Sequence, residues 1–227
     1  MVNTPVSDAD KFSVLTANGE DKWFANPKLS NYEEWIAGLT AAEKSIIYYY
    51  TGSGYDNLND ELYTTPWDLM YESDKLKAAT LYEALNKFEL HHGLTVMRQC
   101  DSRVFGVAPG ASADKIVEQL KQSNGVVQAN GFMSTGASGS GTSVDSSGVV
   151  LKIEVPPSKG AGAYIKSMGI GHEHEFLMNS NGVYKVDVNS VHKGSDGKVH
   201  ATMRWIGQAK IQTIDPKNKS YKGKKGA

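Results

Sequence analysis

The chain has 227 residues, with 24 basic and 25 acidic side chains for a formal net charge of −1. That balance leaves no global field to draw it onto nucleic acid or an anionic membrane, so any partner must be recognised locally. A chain this long buries roughly 70% of its unfolded surface and can rest on packing alone. The single cysteine, Cys100, excludes an intramolecular disulfide framework and an all-cysteine metal site. Polar or charged residues punctuate the first two dozen positions, and no run approaches about 18 apolar residues, so neither an export segment nor a membrane span is expected and a soluble protein is.

The first half has helical periodicity. Ser30-Asn31-Tyr32-Glu33 and Thr40-Ala41-Ala42-Glu43 each place a hydroxyl three residues before a glutamate, the reciprocal pattern that satisfies orphan amides at a helix start. Two short helices should follow, one through Trp35 to Leu39 and one through Ile46, Ile47 and Tyr50. Ala78, Leu81, Leu85 and Phe88 recur at helical spacing, and Gly93 should stop that helix. A further amphipathic stretch spans residues 112–122 and ends at Asn124-Gly125.

The period then changes. Residues 94–98, 149–155, 163–165, 175–178, 183–188 and 202–206 are short β-rich runs, several alternating, separated by Gly, Asn, Ser and Pro clusters. Helices first and strands later imply an α+β domain with antiparallel or mixed sheets. Residues 136–148 (GASGSGTSVDSSG) read as a flexible loop between neighbouring strands of one sheet. One domain over residues 1–214 and a basic, flexible, solvated tail over 215–227 complete the expectation.

Three segments could carry chemistry. In His172-Glu173-His174-Glu175, at the start of a strand, residues two apart share a face, so Glu173 and Glu175 would project side by side about 7 Å apart. Repelling carboxylates are kept together where a cation or a developing positive charge must be stabilised, and glycosyl chemistry, with its oxocarbenium-like transition state, uses such pairs. Two solvated glutamates on an exposed strand are the plainer reading. His172 and His174 also share a face, but the segment is not HExxH and no third ligand is marked, so no metal is expected. The apolar run Leu94-Thr95-Val96-Met97 ends in Arg98, whose guanidinium asks for a carboxylate or phosphate, either as a structural salt bridge or as a ligand contact. Gly131-Phe132-Met133-Ser134-Thr135-Gly136 places two hydroxyls at the end of a short strand, or in a turn.

Taken in order, a strand arginine, Ser-Thr about 35 residues on and Glu-x-Glu about 40 residues later resemble the arginine–serine–glutamate class of mono-ADP-ribosyltransferases, the family of clostridial and bacillary toxins and related phage enzymes. The resemblance spans residues 30–190. It includes the run from Tyr50 to Asn59, Phe105-Gly106, and Ala161-Gly162-Ala163-Tyr164-Ile165 leading to the glutamate pair. It implies NAD as co-substrate, in a cleft formed by two β-sheets on which the helical half packs. By the same resemblance Arg98 pairs with the NAD phosphates, the backbone of Gln99 holds the nicotinamide amide, and Tyr50, Tyr55 and Asn59 line the adenosine and phosphate side, with Arg103 at an adenosine contact. Ser134 holds Glu175, Thr135 supports the strand, and Glu175 is catalytic. Glu173, two residues before it, resembles the arginine-modifying branch, and the loop over residues 166–172 is where the family recognises its target.

The implied activity is mono-ADP-ribosyl transfer to an arginine of a target protein by a monomeric toxin-like or effector enzyme, made or delivered where it works. An NAD glycohydrolase and a non-catalytic module of the same fold are the alternatives. The chain departs from the family pattern in having Gly136 as the third residue of Ser-Thr-Ser and Gln99 after the arginine. The Gly/Ser-rich stretch that follows also lacks the nicotinamide-stacking phenylalanine and second arginine.

Overall fold

The computed structural model describes residues 11–16, 18–138, 142–143, 148–166, 168 and 174–209. It opens with β1 (Phe12–Ser13), α1 (Glu20–Phe24), α2 (Tyr32–Gly38) and α3 (Ala41–Tyr49). A wide π-helical turn (Tyr50–Gly54) then runs without a break into α4 (Tyr55–Thr64), followed by α5 (Glu72–Asn86). Thr40 and Glu43 form the expected reciprocal cap of α3. The Ser30–Glu33 pair does not: the Ser30 hydroxyl donates to the Phe24 carbonyl at 2.7 Å, and α2 starts after Asn31 with no side-chain cap. The Ser30 oxygen also accepts from the Tyr32 amide at 3.3 Å, but Asn31 is the N-cap residue, so Ser30 stands one position too early for the reciprocal pair with Glu33.

The α5 helix also ends earlier than its periodicity suggests. Phe88, 1% exposed, lies beyond the helix, and β2 (Glu89–Leu90) intervenes before Gly93. Gly93 opens β3 (Gly93–Cys100) instead of capping a helix, because a Cβ there would come within 2.8 Å of the Lys11 carbonyl on the neighbouring β1. A tight turn (Ser102–Phe105) follows, then α6 (Ala113–Gln122), capped by Ser112 and ended by Asn124 and Gly125, both in the left-handed region.

The remaining chain is mostly strand: β4 (Val126–Ala129), β5 (Met133–Gly136), β6 (Thr142–Ser143), β7 (Val149–Val155), β8 (Ser158–Lys159), β9 (Gly162–Tyr164), β10 (Glu175–Met178), β11 (Gly182–Lys193) and β12 (Val199–Gln208). The sheet order is β4-β11-β12-β7-β3-β5-β10-β9. The strands on either side of residues 136–148 are therefore in one sheet, as expected, but β3 lies between them; the stretch is not all loop, since Gly136 ends β5 and Thr142–Ser143 form β6 against β3, and residues 139–141 and 144–147 lie outside the described residues.

Two sheet portions meet at β3. One side of β3 pairs along its length with β7, whereas the other side touches β5 at one registered pair, Met97↔Gly136. On that side β3 also pairs with β1 at Gly93 and Leu94 and with β6 at Arg98 and Gln99, so the β5-β10-β9 portion joins the larger portion through a single registered pair. Aromatic packing fixes the helical layer against that smaller portion: Phe24 stacks on Tyr164 of β9 with ring centroids 4.0 Å apart and lies 6.2 Å from Phe176 of β10. Such pairs add about 0.5–1.5 kcal/mol each beyond the area they bury. Among the described residues no helix is long and apolar enough to cross a membrane.

Candidate active site

The sheet junction gathers the residues that the sequence marks for chemistry. Gly136 pairs with Met97 on one side and with Glu175 on the other, so a single row across β3, β5 and β10 ends at that glutamate. Ser134 is two residues back along β5, opposite Leu177, and alternation puts it on the same face as Gly136 and Glu175. The absent third hydroxyl of Ser-Thr-Ser is therefore at the position directly facing Glu175, where glycine leaves room on the carboxylate's side of the sheet. Glu175 is 8% exposed.

Arg98 follows Met97 and reaches across the junction: its Nη1 donates to the Ser134 carbonyl at 2.6 Å. This ties the two sheet portions together where they begin to part. Burying a guanidinium without partners is expensive, and Arg98 is only half-buried, its five-donor fork fixed at one corner by Ser134. A second measure of the convergence is Tyr50. Burial drives its phenol well above the ordinary range; the Asn59 amide opposes this, Glu175 adds to it and Arg98 subtracts from it, so the hydroxyl is within electrostatic reach of both charged groups.

Tyr50 and Asn59 serve the site from beneath. Asn59 Nδ2 donates to the Tyr50 hydroxyl (3.0 Å) and to the Phe132 carbonyl (3.2 Å), while Asn59 Oδ1 accepts from the Phe132 amide at 2.9 Å. The Tyr50 hydroxyl donates to the same carbonyl at 3.3 Å. Both residues thus bracket the peptide that leads into β5. The wide turn permits it, since it lets the chain bring Tyr50 and Asn59 to one side, and π-turns recur at functional sites for this reason. Gly131 lets α4 approach this closely, because a Cβ there would lie 2.5 Å from the Tyr63 ring and 2.6 Å from Asn59 Oδ1.

The other expected residues are distributed around this centre. The Thr135 side chain is buried on the opposite face and donates to the Phe176 carbonyl, bracing β5 against β10. Gln99 is flanked by Val150 of β7 and Ser143 of β6, and its side-chain oxygen accepts from Lys198 at 2.6 Å. Arg103 sits in the turn after β3 and is paired with Asp101, whose carboxylate also caps that turn. Tyr55 is 36% exposed at the start of α4, its phenol raised by the neighbouring Asp56. Glu173 lies outside the described residues, as do most of the loop at 166–172 and the tail at 215–227.

Sequence reasoning passed over a polar group next to this centre: Glu20 and Asp21 of α1 with Tyr164, Lys166 and His174. No motif marks it, because its members come from three separated segments. The set at the junction, one guanidinium and one buried carboxylate on the same sheet face as the Ser134 hydroxyl, suits a ligand that carries phosphate at one end and develops positive charge at the other.

Comparison with known proteins agrees with this geometry. The ADP-ribosyltransferase exoenzyme family profile matches residues 26–211. Among solved structures, Plx2a, an ADP-ribosyltransferase toxin from Paenibacillus larvae, superposes with a TM-score of 0.70 at 20% identity, covering 87% of this chain and 100% of that one. C3stau2 from S. aureus, solved with NAD, gives 0.66 at 18% identity over 87% and 100%. The toxin BECa from C. perfringens, solved with NADH, gives 0.64 at 22% identity over 83% of this chain and 48% of that longer chain. No curated protein matches the sequence. The architecture is that of these toxins, and the chain belongs to the ADP-ribosyltransferase exoenzyme family.

Proposed function

We propose that this protein transfers ADP-ribose from NAD to an arginine side chain of a target protein and releases nicotinamide. The observation that carries the reading is the row Met97–Gly136–Glu175, which sets a buried carboxylate beside the Arg98–Ser134 bond at the point where the two sheet portions part. Arg98 would take the NAD diphosphate on the remaining donors of its fork, a geometry suited to bidentate contact. Glu175 would accept from the ribose 2′-hydroxyl, and its negative charge would stabilise the cationic anomeric carbon as nicotinamide departs. Ser134, on the same face, would keep that carboxylate oriented. Tyr50 and Asn59 would act chiefly by holding the lead into β5, with Tyr55, Gln99 and Arg103 at the margins of the NAD site.

The choice of arginine as acceptor rests on residue type: a carboxylate two positions before Glu175 can engage an incoming guanidinium and help remove its proton, whereas an amide cannot. The test is nicotinamide release from NAD by the wild type, Glu175→Ala and Glu173→Gln, each with and without agmatine. Stimulation by agmatine, abolition by Glu175→Ala, and acceptor-independent hydrolysis alone in Glu173→Gln are the expected results. Hydrolysis that agmatine never stimulates would assign the protein as an NAD glycohydrolase, and no release under any condition would make it a non-catalytic module.

A further inference from the structure

The end of β3 is held from a second direction besides the Arg98–Ser134 bond. Lys198 Nζ donates to Gln99 Oε1 at 2.6 Å, a hydrogen bond strengthened by the charge on its donor. The two residues are 99 positions apart. Lys198 immediately precedes β12, and β7 lies between β12 and β3. The contact therefore reaches across two strand spacings, about 9–10 Å, which takes two long side chains.

Register brings them together. Gln99 pairs with Val150, Val150 with His200, and His200 with His192, so one row crosses β3, β7, β12 and β11 on one face of the sheet. Alternation carried one residue back from β12 puts Lys198, two before His200, on that same face. Its backbone is fixed in the β11–β12 turn: the Lys198 carbonyl accepts from the Gly194 amide at 2.8 Å, and its amide donates to Asp196 Oδ1 at 3.1 Å. A carboxylate only accepts, so His200 Nε2, 3.0 Å from Asp196 Oδ1, donates to it, and the His200 ring stacks on His192 with centroids 5.5 Å apart. The flexible lysine stem thus starts from a turn closed by both backbone and side-chain bonds, and Lys198 and Gln99 are both half-buried.

The consequence falls on Arg98 and Gln99. Consecutive strand residues point to opposite faces, so Arg98 ties β3 to β5 on one face and Gln99 ties it to the β11–β12 turn on the other. At that end β3 is flanked by β7 on one side and by the two-residue β6 on the other, and past Cys100 the chain leaves for the turn at Ser102–Phe105. Side chains here supply the fixation that a long partner strand gives elsewhere. The glutamine that follows the strand arginine in this chain has a use of its own: its amide oxygen receives the lysine.

We propose that Lys198 is a positioning residue of the NAD site, which fixes the Arg98–Gln99 peptide by holding the Gln99 side chain. On the reading proposed above, Arg98 takes the diphosphate and Gln99 borders NAD, so a loosened peptide weakens the grip on the co-substrate. Lys198 touches Gln99 and not NAD. Its loss should weaken NAD binding and leave the chemical step at Glu175 unchanged.

The test uses the full chain. Lys198→Met keeps most of the stem and removes the charged donor; Lys198→Arg keeps a charged donor with the needed reach; Gln99→Met removes the acceptor and leaves the backbone. In Lys198→Met and Gln99→Met the KM for NAD in nicotinamide release should rise by about fivefold with kcat within about twofold of wild type, the signature of lost binding without loss of a transition-state contact. Lys198→Arg should stay within about twofold of wild type in both constants. The double variant should be no worse than either single one, since both changes break one contact. Calorimetric Kd values for NAD, taken in the Glu175→Gln background to prevent turnover, should follow the KM. Labelling of Cys100, the single cysteine and the last residue of β3, by a thiol reagent should quicken by about threefold in Lys198→Met and Gln99→Met, a readout that needs no NAD. Additive losses would overturn this role by showing that Lys198 meets NAD on its own account. Unchanged Cys100 labelling, or kcat falling as far as KM rises, would overturn it as well. Wild-type protein that neither binds nor cleaves NAD would sink the reading of the site and the positioning with it; variants that match a wild type active on NAD would sink the positioning alone.

Discussion

The site has two flanks, built by different means. On one, Arg98, Ser134, Gly136 and Glu175 are placed by sheet register: each position follows from which strand pairs with which, at which residue. On the other, Glu20, Asp21, Tyr164, Lys166 and His174 are held by side chains reaching between a five-residue helix and the segment ends around β9 and β10. Register is rigid because slipping one residue would turn every side chain to the other face, and here it would take Glu175 off the face it shares with Ser134. Side-chain networks can be broken one bond at a time. On the proposed reading, the chemistry that both transfer and hydrolysis need lies on the first flank.

The sharpest way to break this comparison is at Glu175. Glu175→Gln keeps the shape of the side chain and the pairing with Gly136 but removes the charge, and nicotinamide release should fall by about 10²–10³-fold with little change in melting temperature. A variant that still released nicotinamide within a few-fold of wild type would place the chemistry elsewhere.

The next largest effects should come from the support under β5. Gly131→Ala drives a methyl into Tyr63 and Asn59 and should destabilise the fold by about 1–3 kcal/mol in a denaturant titration. Asn59→Ala leaves both the amide and the carbonyl of Phe132 without this partner and should cost about 2 kcal/mol, with loss of activity exceeding what the unfolded fraction explains. If Asn59→Ala lost stability without slowing turnover in the folded protein, the helix under β5 would be scaffolding alone.

The smallest effect lies far from the site and is a control on the helical half. Burial raises the Glu43 carboxyl, but hydrogen bonds from Lys87 and from the Thr40 amide and hydroxyl more than offset it, so the group ends below the ordinary carboxylate range. A carboxyl depressed in the folded state adds stability above its unfolded pKa, and that contribution is lost as the pH falls through the folded value. Glu43→Gln should flatten the acid limb of a stability-versus-pH curve. Thr40→Ala should cost about 1 kcal/mol by removing the cap, with little change in turnover.

What the sequence revealed follows the same division. The runs at 149–155 and 175–178 are strands with those bounds, the first alternating in burial and the second a short apolar run buried on both faces, and the 112–122 stretch is a helix capped at Ser112, as its periodicity implies. Arg98, Ser134 and Glu175 were legible by order along the chain and come together through strand pairing. Helix α1 was not, since its five residues carry too little pattern, and α4 was hidden by the Gly52-Ser53-Gly54 punctuation, which the structure uses for a π-turn. Ser30 shows the converse error: a good local capping signal set one residue ahead of the helix's actual N-cap, Asn31. The contact of Asp21 with Tyr164 could not be read, because the two are 143 residues apart and nothing in the sequence pairs them.

The central claim is that the carboxylate at the sheet junction drives ADP-ribosyl transfer to a guanidine. Mass spectrometry of agmatine incubated with NAD and the protein tests it most directly. The wild type should yield ADP-ribosylated agmatine and Glu175→Gln should not. Free ADP-ribose as the sole product, or the agmatine adduct formed equally by the variant, would contradict it.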